Sequence, residues 1–243
     1  MTSKIGSFIA GGTTVITAIV VVVALTGAKI PSKYVEFDEI SVGRINVVEP
    51  DGTKRMIISS KARFPGDFEM NKETLRPDRA SFAGILFLDE NGNENGGLIQ
   101  KGSESKDGKI NAGLSFTFDR YRQDQTLQLE HKSDENNSIS GISINDVPNY
   151  KVTSMTDIRR FKSESDKLTR DESNAYWERL STEGRLAENR IYMGTTADKG
   201  SALSLKDAKG RTRMLLLVTA QGKSEIRMMD EDGNIVKTIS AIN

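Results

Sequence analysis

Cysteine is absent from this 243-residue chain, and histidine occurs once, at His131. Without thiols there is no disulfide, no thiolate metal site and no cysteine nucleophile. One imidazole cannot build a multi-histidine metal centre within a chain. Excess charge is missing as well, because Lys plus Arg and Asp plus Glu both number 34. A basic footprint for nucleic acid is therefore lacking, and no nucleic-acid partner is expected. Aromatics make up 6% of the residues, which argues against stacking platforms for bases or sugars. Neither a cofactor nor a metal is implied by composition.

What is present begins with residues 5–28, IGSFIAGGTTVITAIVVVVALTGA, an uncharged run between Lys4 and Lys29. At about 1.5 Å per residue a helix of this length spans roughly 36 Å, enough for a hydrocarbon core of roughly 30 Å. Valine and isoleucine favour strands, but a lone strand in lipid leaves its backbone unpaired, so a helix is expected. The reading is a short tail over 1–6, a transmembrane helix over 7–28 and a linker over 29–36. A cleaved signal peptide is the competing reading, although its apolar stretch is usually shorter, about 7–15 residues. Ser7 and Gly11 have a small-x-x-x-small spacing that suits helix pairing. Basic residues flank the span on both sides, so charge barely orients it. A minimal tail before a large domain suggests that the C-terminal domain is extracytoplasmic.

From residue 37 to 243 the expectation is a mainly β domain. Four segments share one pattern: INVVEPDGTKRMII, ILFLDENGNENGGLI, LSLKDAKGRTRMLLL and IRMMDEDGNIVKTI. In each, an acidic residue (Glu49, Asp89, Asp207, Asp230) precedes a glycine by three positions (Gly52, Gly92, Gly210, Gly233). That spacing predicts β-hairpins whose glycine takes a left-handed conformation. Further strands are predicted at 40–42, 114–118, 126–129, 139–144 and 190–193. Many short strands with turn signals suggest a sandwich, roll or barrel.

Residues 155–188 break the pattern. Met155, Ile158, Phe161 and Leu168 have helical spacing, as do Tyr176, Trp177, Leu180 and Ala187. Thr169 and Glu172 form a capping-box signature, so a second helix should begin there. A helical hairpin inserted between strands is expected. Its Tyr176 and Trp177, the latter the only tryptophan, are candidate partner-binding residues. Residues 61–80 read as a long loop whose Arg63, Arg76 and Arg79 could grip an anion.

Catalytic signatures are scarce. Gly222-Lys223-Ser224 resembles the end of a phosphate loop, but Leu217 stands where its first glycine belongs. No G-x-S-x-G elbow occurs, and His131 has no marked serine or aspartate partner. Asp89, Asn91 and Asn93 match the first three ligands of a calcium loop. Glu94 replaces the required glycine, however, and Gln100 replaces the bidentate glutamate. The sister turns carry Lys54 and Lys209, so a structural turn is the better reading. Asn136-Asn137-Ser138 matches a glycosylation sequon and reads as a polar turn.

The stretches RINVVEPDGTKRMIISSKARFPG and GILFLDENGNENGGLI resemble segments RINxVEPDGTxRxVIS and LFFxDExGxExGGL of a group of bacterial proteins, often found behind an N-terminal hydrophobic segment. No activity attaches to that group, so no residue inherits a role. The resemblance implies a membrane-anchored β-rich protein of the cell envelope. Together these readings lead to a single-pass interaction or scaffolding protein that forms a homo-oligomer, with no evident catalytic site. The alternatives are an envelope hydrolase acting on glycan through a carboxylate pair, and a domain that binds lipid or a small ligand.

Overall fold

A computed structural model of the protein describes residues 35–241. The chain divides into Met1–Ser41 and a compact unit that begins at Val42. The expected membrane helix over 7–28 lies outside the described residues. Among the described residues no helix is long and apolar enough to cross a membrane.

The unit is mainly β. Its first strands are β1 (Arg44–Val48), β2 (Lys54–Ser59), the short ribbon β3 (Asp67–Glu69) and β4 (Lys72–Thr74), and β5 (Ala83–Leu88). Then come β6 (Glu94–Glu104), β7 (Ile110–Asp119), β8 (Gln125–Ser133) and β9 (Ser138–Asp146). Helices α1 (Met155–Ser165) and α2 (Arg170–Thr182) follow. The chain closes with β10 (Glu188–Thr195), β11 (Ser201–Lys206), β12 (Thr212–Val218), β13 (Ser224–Met229) and β14 (Ile235–Ser240). Ile40–Val42, predicted as a strand, has no regular structure.

Twelve strands form one sheet in chain order, with only the β3–β4 ribbon apart. All pairings are antiparallel. The sandwich, roll or barrel expected from the pattern gives way to an open meander, with β1 and β14 at its two edges. The reason is local: tight hairpin turns return each strand beside its predecessor, and a Greek key needs long connections that this chain rarely has. Two connections are long, residues 60–82, which holds the β3–β4 ribbon, and 147–187, and both return the chain to the same twelve-stranded sheet.

The hairpin turns share one geometry. The N–H of Asp89 donates to the Asn93 carbonyl at 2.8 Å, and Gly92 N–H donates back to the Asp89 carbonyl at 3.0 Å. The same pair of bonds closes Glu49–Thr53, Asp207–Arg211 and Asp230–Asn234, with Gly52, Gly210 and Gly233 at φ between 72° and 88°. Thr219–Lys223 closes identically, as do Ser105–Lys109, Arg120–Asp124 and Thr196–Gly200, so Gly222 belongs to a turn of this kind and no phosphate loop forms there.

The buried core is small and one-sided. Ile57 and Leu86 are fully buried and cluster with Phe68 and Leu88, with Phe64 and Ile99 packed against them. Phe64 and Phe68 come from the 60–82 connection, which covers the first strands of the sheet on one face. In α1 the Ser154 hydroxyl accepts the Asp157 N–H while Asp157 accepts the Ser154 N–H, a reciprocal cap. Glu172 likewise accepts the Thr169 N–H at 3.0 Å, where the sequence places the start of the second helix.

Candidate functional site

In antiparallel strands, directly opposed residues share a face, and side chains alternate faces along each strand. Following the opposed pairs across the sheet gives a continuous ladder. From β1 to β8 it runs Ile45, Ile58, Ile85, Leu98, Phe116 and Leu129. From β9 to β14 it continues Ile142, Met193, Leu203, Leu216, Ile226 and Ile239. All twelve residues are large and apolar. A second row, two residues along each strand, holds Phe118, Leu127, Ile144, Ile191, Leu205 and Met214 from β7 to β12. Lys237 on the last strand is its charged member, opposite Met228.

The opposite face differs sharply beyond β5. The row that begins with Ile57 and Leu86 becomes Gly97, Thr117, Gln128 and Ser143, passes through Tyr192, Ser204 and Leu215, and ends in Arg227 and Thr238. One face thus carries an unbroken apolar ladder across the whole sheet. The other is mostly polar beyond β5, where Tyr192 and Leu215 interrupt its central row.

The apolar face is open. Ile58, Leu129, Met193, Leu216 and Ile239 of the ladder are 38–49% exposed. Between Met193 and Ile239 the face forms a shallow depression of about 810 Å³ whose walls include Leu203, Leu216, Val218 and Ile226. Apolar side chains standing in water forfeit roughly 25 cal/mol for every Å² left uncovered. Contiguous apolar patches larger than a few hundred Å² are uncommon on the surfaces of monomeric soluble proteins.

A second feature is a polar cleft of about 490 Å³ at one end of the sheet, lined in part by Glu94, Asp119, Arg122, Tyr150 and Arg159. Asp119 closes β7 at a register shift. Its Oδ1 and the Nε of Arg122 are buried without hydrogen-bond partners among the described residues. Burial, reinforced by the charges of Glu94 and Asp124 and partly opposed by Arg79, pushes the Asp119 carboxyl up to about 7. The backbone of Arg122 is left-handed at φ 54°, and its guanidinium lies over the Tyr121 and Tyr150 rings. At neutral pH Asp119 can hold or release a proton, so the cleft can donate to or accept from a polar ligand.

The other candidates fall as follows. Arg79 donates to both carboxylate oxygens of Glu94, at 2.9 and 2.7 Å, and to the Gly66 carbonyl. Arg76 is bidentate to Asp78. Two of the three arginines expected to grip an anion are therefore already paired, while Arg63 stays exposed. Trp177 Nε1 donates to Ser165 Oγ at 2.8 Å and the Tyr176 hydroxyl donates to Glu164 at 2.6 Å. Both rings are half-buried and link α2 to α1. His131 Nδ1 lies 2.8 Å from Ser140 Oγ on the apolar face, a partner the sequence does not mark. Among the described hydrogen bonds no carboxylate orients the other ring nitrogen. Asp119 was equally hidden: FTFDRY reads as a strand end, and nothing in it announces burial.

Among the described residues no group of three or more metal-ligating side chains converges. No protein-family model matches the chain, and no curated protein matches it in sequence.

Proposed function

We propose that this is a single-pass membrane-anchored, β-rich interaction and scaffolding protein that works as an oligomer, with its sheet on the extracytoplasmic side. The uncharged run over 5–28 supports the anchor. The observation that carries the interaction role is the twelve-residue apolar ladder, open on one face of a sheet whose other face is mostly polar beyond β5. An open apolar face of this kind suits a surface that binds or assembles. The test is shielding in permeabilised cells. Leu129→Cys on the apolar face should label with a water-soluble maleimide several-fold more slowly than its neighbour Gln128→Cys on the polar face. Equal rates would remove the interaction reading. Digestion of the sheet by protease in spheroplasts, but not in vesicles that keep it enclosed, tests the orientation.

The polar cleft favours one second reading, an envelope hydrolase acting on glycan through a carboxylate pair. Asp119 and Glu94 line the same cleft, and Asp119 carries a proton near neutrality, as a general acid requires. Release of reducing ends from cell-wall glycan by the wild-type chain, abolished in Asp119→Asn, would establish it. Equal release by the two would discard it.

A further inference from the structure

We propose that the apolar face is closed by the same face of a second copy, so that two open sheets make one two-layer sandwich across a twofold axis. This rests on the reading of that face as an interaction surface and names its occupant.

The first argument is one of layers. A sheet with an apolar face must bury it against another layer. Within this chain the 60–82 connection supplies Phe64 and Phe68 to the other face, and ladder residues from β2 to β14 remain exposed. The missing layer therefore comes from outside the unit. Pairing of the edge strands β1 or β14 with a neighbour would lengthen the sheet and leave the face as open as before.

The second argument is size. Twelve strands about 4.8 Å apart make a ladder roughly 53 Å long. A second row about 7 Å away, held by Val47, Met56 and Phe87 on β1, β2 and β5 and again by apolar residues from β7 to β13, gives a band roughly 14 Å wide. That is about 740 Å² on each copy and about 1,500 Å² in all, the area of a standard stable interface. The same band is too narrow for lipid, which needs an apolar belt of about 25 Å. Strands β11 to β14, at six or seven residues, also fall short of the 9–11 that span a bilayer.

The third argument is chemistry. The ladder holds no polar or charged side chain, so stacking it on itself strands no buried charge. Lys237, in the second row, stands on the edge strand, where its ammonium can stay in water. A ladder that is apolar along its whole length is complementary to itself, as a twofold contact requires. Two such sheets pack about 10 Å apart.

The chain has no cysteine, so each introduced one is unique. Leu129 and Ile142 are the sixth and seventh of the twelve ladder residues. They lie near the axis whichever way the second ladder runs. The full chain in cell membranes, carrying Leu129→Cys or Ile142→Cys and treated with a short bismaleimide, should give a covalent dimer. Its yield should be at least fivefold that from Gln128→Cys or Ser143→Cys, which face the other way. Cysteine is small and apolar, and two independent positions guard against one misfolded variant. If neither position cross-links yet both resist a water-soluble maleimide, something other than a second copy covers the face. Self-docking is then overturned and the interaction reading stands. If neither cross-links and both label as fast as Gln128→Cys, both readings fall.

Discussion

Asn93 donates its backbone N–H to Asp89 Oδ1 at 2.9 Å and its side-chain amide to both carboxylate oxygens, at 3.0 and 2.9 Å. The Asn91 N–H adds a further bond to Oδ1 at 2.8 Å. Asn93 Oδ1 in turn accepts the Met70 N–H at 2.9 Å, which docks the tip of the β3–β4 ribbon onto this turn. The residues that look like alternate calcium ligands are therefore donor and acceptor to one another. Asp230 and Asn234 repeat the arrangement, and at Asp207 the guanidinium of Arg211 takes the part of the amide.

From this follows a prediction about metal. EDTA should leave the melting temperature of the protein unchanged, and added calcium should not raise it. Asp89→Ala, which strands several N–H donors of a turn that is itself buried, should cost about 2–3 kcal/mol in denaturant unfolding. A chelator-induced fall of several degrees would overturn the structural reading of this turn.

The hairpin glycines should differ in sensitivity although their backbones match. At Gly233 (φ 83°) a Cβ meets nothing within 4 Å, so Gly233→Ala carries only the left-handed backbone cost of roughly 1–2 kcal/mol. At Gly92 (φ 73°) a Cβ would stand 2.8 Å from the Cα and Cβ of Asn71. Gly92→Ala should then lose roughly twice as much, because the β3–β4 ribbon must also move. Equal losses in urea unfolding would show that the ribbon is not held against this turn.

Asp119 sets a pH dependence with a definite sign. Its carboxyl is raised from an ordinary value near 3.8 to about 7 in the folded chain. Between those values the unfolded chain gives up the proton and the folded chain keeps it. The contribution of Asp119 therefore falls as pH rises from about 4 to about 7, by up to about 1.4 kcal/mol per pH unit. Asp119→Asn should accordingly gain stability over wild type at pH 8 and lose that advantage at pH 4. Chemical unfolding at the two pH values measures the difference. An advantage of equal size at both would mean that Asp119 is ionised in the fold.

Much of the local architecture was legible in the residues. The acidic residue three positions before a glycine locates four turns that all close with the same two bonds, because that pattern is a local solution to φ and hydrogen bonding. Thr169 and Glu172 place the start of α2 for the same reason. The 60–82 connection was less legible. It reads as a loop, yet it holds the β3–β4 ribbon and the aromatic half of the core, since Phe64 and Phe68 acquire meaning only against Ile57 and Leu86.

By itself, then, the sequence determined most of the strands, many of the turns between them and the alternation of apolar and polar side chains along them. It left open whether the alternations of twelve strands agree with one another. A shift of one residue in a single pairing turns that strand's apolar residues to the other face, so agreement depends on eleven registers at once. Only the tertiary structure decided that Ile45 and Ile239, at the far ends of the sheet, belong to one uninterrupted row. It also decided that Asp119, one acidic residue among many in the sequence, has a carboxylate oxygen buried without a hydrogen-bond partner among the described residues.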